Sequence, residues 1–482
     1  MISAVLVILM GCSAPTASSS LAGSARLGTC GGRAAGGESM PRWVSRYDGP
    51  GHFKDFASAE VVSPDGRTVF VTGRSSGKDL MADYATVAYD AVTGSRLWVS
   101  RYNGPAGGPD FPVSMAISPD GSAVFVTGVS GKPPYGGGIA YATVAYSAAT
   151  GNELWARQYA AGDYRVRIAV SPDGRTVIVV GDHQVTFGRD YAVTVAYDAA
   201  TGTQLWARRY RSPGAVSDVA SAVAATGHAV FVAGTSIYHA APDSATTVAY
   251  DLATGARLWA GHYRIRRGGA GLLLVTVSPD GRRVVVAGEF GPNRASTFGA
   301  IAYDSATGAR RWAAVSGHDR GMQEFSGSAP DYTLALSPDG RTLFVEGYDV
   351  DVTGSGQDEF ATAAFAAQTG RQMWTRRFGA PQTWAAHGQS IAVSPDGRTV
   401  YAMGSCVRLF KTAGYGLVAY RAATGVQLWA STYPAGVVNV VTPYVGVGAQ
   451  VVVSPDGRRL FIIGNSGPTK HNQDFLTVAY RA

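Results

Sequence analysis

From Arg42 to the end of the chain, short apolar runs alternate with polar turns, and no stretch sustains a 3.6-residue period. In the first unit AEVVS meets the turn SPDG and TVFVTG follows. A loop then leads to YATVAYD, and after DAVTG the chain returns as LWVSRY. These runs are rich in Val, Thr, Tyr and Phe and are bounded by Gly, Asp and Pro, the composition of strands separated by tight turns. Proline presets φ for such a turn, aspartate bonds its own backbone, and glycine accepts positive φ. The pattern predicts four antiparallel strands per unit.

The unit recurs. AYDAVTGSRLW, Ala88 to Trp98, keeps its internal spacing at Ala145 to Trp155, Ala196 to Trp206, Ala249 to Trp259 and Ala302 to Trp312, with looser copies at Ala364 to Trp374 and Ala419 to Trp429. SPDG begins at Ser63, Ser118, Ser171, Ser278, Ser337, Ser394 and Ser454, and a degenerate copy, Ala224 to Gly227, fills the one gap. Eight four-stranded units with no helical segment between them predict an all-β, eight-bladed propeller, because an open array would leave sheet edges and faces bare. The ends of the chain predict how the ring closes. The last unit stops at TVAYRA after its third strand, while RWVSRYDGP, Arg42 to Pro50, matches the fourth-strand segment RLWVSRYNGP of the first unit. The N-terminal strand is therefore expected to complete the C-terminal blade, leaving a monomer without an open edge.

Three regions are expected: an export segment at residues 1–12, a flexible tether at 13–40 and the propeller at 41–482. The opening run MISAVLVILMGC is too short to span a bilayer and reads as the core of a signal peptide. Leu9, Met10, Gly11 and Cys12 resemble a bacterial lipobox, so Cys12 is a lipidation candidate; an ordinary cleaved signal is the alternative. The Ser, Ala and Gly residues that follow are tether-like. This places the protein outside the cell or at its envelope, with the lipid anchor as its expected membrane attachment. Cys30 and Cys406 would then remain as a disulfide or as free thiols, and three cysteines exclude a cysteine-rich metal site. The net charge of +7 is spread along the chain, with one dense basic cluster at Arg264, Arg266 and Arg267, which argues against a nucleic-acid role.

The spacing Ala-x-Asp-x-x-Thr-Gly-x-x-x-Trp resembles the tryptophan-docking motif of quinoprotein alcohol dehydrogenases and of bacterial PQQ-like propeller repeats. It is also similar to short bacterial propeller repeats of surface proteins. The resemblance implies that Trp43, Trp98, Trp155, Trp206, Trp259, Trp312, Trp374 and Trp429 are structural, each packed between blades. Ser147, Ala366 and Arg421, which replace the motif aspartate, are expected to alter their turns. An enzyme of that family would bind PQQ with calcium, but the adjacent cysteines that form one wall of the alcohol-dehydrogenase site are missing here. The expectation is therefore a propeller without a cofactor, with PQQ and calcium, or another oxidoreductase site at the mouth of the central channel, as the alternative. An envelope-assembly scaffold, by resemblance to the eight-bladed lipoprotein of outer-membrane protein insertion, is a further reading.

Other chemistry is sparse. No metal helix, nucleophile elbow or phosphate loop is present. The acidic stretch with Asp349, Asp351, Asp358 and Glu359, and the polar cluster His318, Asp319, Arg320 and Glu324, read as solvated loops. In a four-stranded blade the SPDG and TG turns share one face, and the two longer connections share the other. Those longer loops vary from blade to blade, which is how a rigid scaffold builds a binding surface. His52, Tyr135, Tyr238, His239, Trp384, His387 and Phe410 are the residues expected on that surface, facing a protein or glycan partner. No catalytic or metal-binding residue is assigned.

Overall fold

A computed structural model describes residues 40–132, 138–160, 165–184, 190–239, 241–264, 269–291, 297–315, 333–349, 359–378, 385–407, 413–436, 449–469 and 472–482. The strands form eight antiparallel four-stranded blades. Blade 1 runs Asp55–Val62, Thr68–Ser76, Ala82–Asp90, Arg96–Tyr102, and the same order repeats through blade 7, which ends at Gln427–Gly436. Blade 8 takes three strands from the C-terminus, Gln450–Val453, Arg459–Thr469 and Asn472–Arg481, and its fourth, Trp43–Tyr47, from the N-terminus. The closing register pairs Trp43 with Ala479 and Tyr47 with Phe475. The ring thus closes through a hydrogen-bonded strand pair, as the divided repeat predicts.

The turns explain the repeat. In SPDG the Ser63 hydroxyl donates to Asp65 Oδ1 (2.6 Å) and accepts the Thr68 amide (2.9 Å), while Gly66 takes φ +71°. In the second turn Asp90 Oδ1 accepts the Val92 and Thr93 amides (3.0 and 2.8 Å). The slightly different turns expected at Ser147, Ala366 and Arg421 differ in detail and keep the backbone frame: with no aspartate to accept them, the Thr369 and Thr424 amides bond the carbonyls of Ala366 and Arg421 (3.1 and 3.2 Å). Gly151, Gly370 and Gly425 donate to the carbonyls of Ser147, Ala366 and Arg421 at 2.8 Å, as Gly94 does to Asp90. The backbone bond and the glycine carry this turn, and the aspartate only adds to it. The two turns of a blade are joined to each other, Ala91 N to Arg67 O (2.8 Å) in blade 1 and Ala482 N to Arg458 O (3.0 Å) in blade 8, so they share one face of the ring.

There is no single core. Eight apolar clusters fill the eight spaces between neighbouring blades, each drawing on two blades. The tryptophans cross these spaces. Trp206 is buried, packs with its ring tilted against Tyr250 of the next blade (6.2 Å between ring centroids) and donates its indole N–H to Leu252 O (2.9 Å). Equivalent bonds run from Trp43 to Ala91, Trp98 to Ala148, Trp155 to Ala199, Trp259 to Ser305, Trp312 to Ala367 and Trp374 to Ala422. Trp429 packs in the cluster that contains Tyr480 and Ala482. Each of these indoles except Trp429 also lies on the turn glycine of the next blade: a Cβ on Gly255 would sit 2.6 Å from the Trp206 ring.

Bulges in the innermost strands add a second lock. Ala57 N is taken by Asn465 Oδ1 of blade 8 (2.8 Å), and Ala220 N by Asp182 Oδ1 of blade 3 (2.6 Å). In blade 2 the corresponding residue is Pro112, which has no amide to donate. The residue facing it from blade 1 is Arg74, whose guanidinium lies 4.3 Å from the Phe56 ring and 5.7 Å from that of Phe111.

Candidate functional site

The face opposite the paired turns carries the longer connections, and its best-defined feature lies at the seam between blades 8 and 1. The crossover from Asp48 to Lys54 is held by Gly51 N to Ser76 O (3.1 Å) and by Asp55, whose carboxylate accepts Gly49 N (2.6 Å) and Ser76 N (3.1 Å). Gln473 N donates to Phe53 O (3.0 Å), which brings the start of the last strand against this loop. As a result Asp48, Asp55 and Asp474 each aim an oxygen into a space where all three lie within 4.8 Å of one another. Among the described residues it is the one place where three possible metal ligands converge.

Electrostatics follow from the crowding. Asp55 is fully buried, and desolvation raises its pKa despite the bonds to Ser75, Gly49 and Ser76. Asp474 is half-buried and is pushed up to about 6, by burial first and then by Asp48 and Asp55. His52, exposed and at φ 48°, bonds Asp48 Oδ2 through Nδ1 (2.6 Å), which raises its pKa. Three carboxylates so placed can share a proton or a hard cation. Without a cation between them the three carboxylates would repel PQQ, itself a tricarboxylate, and Arg46, the nearby arginine, bonds Ser466 (3.0 Å) and Tyr433 (3.3 Å).

Asp55 has equivalents in Asp110 and Asp218, which accept Gly104 N (2.6 Å) and Ser212 N (2.8 Å), so its first role is to tie down a crossover. What distinguishes the seam is the added pair Asp48 and Asp474. Sequence reasoning singled out His52 and missed these aspartates. The available signal was positional: Asp83, Asp190 and Asp474 recur at the start of third strands, and only register shows which of them meets two other acids. Asp83 instead pairs with Arg101 (2.7 Å), and Asp190 accepts the Ser217 hydroxyl (2.9 Å).

Of the other expected loop-face residues, Tyr238 is half-buried with the Arg264 guanidinium 5.8 Å from its ring, and His239 is exposed beside it. His387 lies within the innermost strand Ala385–Val393, paired with Ser405, and not in a loop. Tyr135, Trp384 and Phe410 fall outside the described residues, as do Cys12, Cys30, Arg266, Arg267, Asp351, Asp358 and the His318 to Glu324 cluster. A groove of about 460 Å³ between the outer strands of blades 1 and 2 is lined by Arg101, Tyr102, Glu153 and Gln158. Gln158 there bonds Tyr102 (3.3 Å) and Ser130 (3.1 Å), a contact that joins the two blades.

Fold and motif together define a PQQ-like β-propeller of eight blades. The family model described as outer membrane protein assembly factor BamB matches residues 41–260, 140–405 and 363–475, and the chain belongs to that family. No curated protein sequence matches it. Among solved structures it is similar to a quinohemoprotein alcohol dehydrogenase from Pseudomonas putida, at 13% identity over 92% of this chain and 76% of that one, with TM-score 0.55. The Dos1 propeller matches at 10% identity over 91% and 95% of the two chains, TM-score 0.55. Sqt1 from Chaetomium thermophilum, solved bound to the N-terminus of ribosomal protein L10, matches at 13% identity over 92% and 100%, TM-score 0.53. At these identities the likeness is one of fold.

Proposed function

We propose that the protein is a non-catalytic, exported binding or scaffold propeller of the cell envelope that presents its loop face to a partner protein or glycan. The observation that carries this reading is the asymmetry of the two faces. One repeats the same bonded turns blade after blade, and the other carries crossovers of differing sequence around an acidic seam. The family's description as an outer membrane assembly factor supports an envelope setting. Lipidation at Cys12 belongs to the same proposal.

Crosslinking from loop-face positions in intact envelopes, with His52→Cys and His239→Cys carrying a photoreactive group, tests the reading. Both positions are exposed. A discrete partner captured from these positions and not from Arg175→Cys on the turn face supports it, whereas identical products from both faces overturn it. The fold likeness to a quinohemoprotein dehydrogenase keeps one enzyme reading open to experiment. Calorimetric titration with PQQ and Ca²⁺, followed by a dye-reduction assay with alcohols and sugars, would show saturable binding and turnover if the enzyme reading were right.

A further inference from the structure

The turn face is not uniform in charge. In blades 1 and 3 the SPDG arginine, Arg67 or Arg175, is outweighed by two aspartates, one in each turn. Blades 7 and 8 reverse this. The motif aspartate is replaced by Arg421 and Arg481, and the SPDG turns add Arg398 and Arg458. With Arg42, just before the outer strand of blade 8, five exposed arginines face two acids, Asp396 and Asp456. Both carboxylates are engaged within their own turns, each accepting a serine hydroxyl and an arginine amide. None of the five guanidinium groups pairs with an acid among the described residues.

The five groups occupy one continuous surface. Ala422 N bonds Arg398 O (2.8 Å), Ala482 N bonds Arg458 O (3.0 Å) and Arg42 N bonds Ala479 O (2.7 Å). Pro395 of blade 7 packs against Gly457 of blade 8, 3.4 Å from the position of a Cβ there. Two apolar side chains lie beside the arginines, Met40 at 78% exposure and Val426 at 49%. The chain before Met40 also joins the propeller here, because the outer strand of blade 8 starts at Trp43 on the turn face. The described chain begins at Met40 on this surface, 28 residues after Cys12, the lipidation candidate of the sequence.

We propose that the turn face of blades 7 and 8 docks onto the anionic headgroups of a lipid bilayer, with Met40 and Val426 at the interface and the loop face turned away from it. Basic groups beside exposed apolar ones suit such a surface. The proposal does not depend on what the loop face binds, and it adds a second membrane contact to the expected anchor.

The test uses the full chain carrying Cys12→Ser, so that no lipid is attached, in cosedimentation with vesicles of phosphatidylcholine alone or mixed with phosphatidylglycerol. The expected result is binding at least about tenfold tighter to the phosphatidylglycerol vesicles, weakened by salt. It should be lost in Arg421→Glu/Arg481→Glu and retained in Arg175→Glu. Should the double variant melt early, Arg42→Glu/Arg458→Glu replaces it. Equal binding to both vesicle types, or a charge-reversed variant that binds like the parent, overturns the proposal. So does tighter binding to soluble heparin or duplex DNA than to the anionic vesicles.

Discussion

Gly255 serves two purposes that no other residue can combine. Its φ of +67° favours glycine, and the Trp206 ring lies where a Cβ would be. Gly255→Ala should destabilise by about 2 kcal/mol or more through strain and displacement of the indole. Trp206→Ala should cost about 3 to 5 kcal/mol. Because both act on one contact, the double variant should lose less than the sum, and a fully additive melting series would separate the two roles. Asp474 makes a pH prediction. Its folded pKa, near 6, lies above the ordinary carboxylate value, so the stability it contributes is full below the unfolded pKa and is lost as pH rises through 6. Asp474→Asn should therefore melt higher than the parent at pH 8 and no higher at pH 4. Half-exposure and solvent screening keep the gain below about 1 kcal/mol. A variant that melts lower at pH 8 would show that the carboxylate is held by an attractive partner.

At the scale of elements, the strand Trp43–Tyr47 is short but closes the ring and seats Trp43 and Tyr47 in the cluster between blades 8 and 1. Deleting Pro41 to Pro50 bares the edge of Asn472–Arg481 and should unfold or oligomerise the protein, as read by light scattering and melting. A monomer with unchanged melting would mean that the ring does not need this pair. The bulge locks are the second device at this scale. Asn465→Leu leaves the buried Ala57 amide without its acceptor and should cost about 1 to 3 kcal/mol, whereas Val129→Ala in blade 2, with no polar bond to lose, should cost only its packing.

The whole molecule is a ring of eight similar interfaces, and its stability is distributed among them without a central core. Covalent closure should therefore be tolerated. A permuted chain that joins Ala482 to Arg42 through a copy of Val92–Arg96, with new ends opened in the loop between Gly131 and Ile139, restores the full motif in blade 8. It should melt close to the parent temperature, because the join removes the entropy of bringing the old ends together and the cut in blade 2 restores a similar cost for the new ones. A permutant that fails to fold would show that the N-terminal strand must reach the ring as a free end. The two faces also differ at this scale: one repeats a turn pattern that is degenerate in blade 4 and cut short in blade 8, and the other carries connections that differ in sequence from blade to blade.

The blade count, the four strands in each and the splitting of the last blade were legible in the sequence because a repeat records local turn chemistry, and local chemistry is written in adjacent residues. Glycine, proline and aspartate at constant offsets state where strands begin and end whatever surrounds them. At Ala366 and Arg421 the missing aspartate moves a threonine amide onto the backbone carbonyl, while the glycine bond keeps the turn's frame. Tertiary structure alone decided the seam, since Asp48 and Asp474 are separated by nearly the whole chain and meet only because the ring closes. It also brought Arg42 to the basic turns of blades 7 and 8, which the repeat itself places on one face. Coulomb interactions depend on distance in space, and closing a ring changes that distance for residues at opposite ends of the chain.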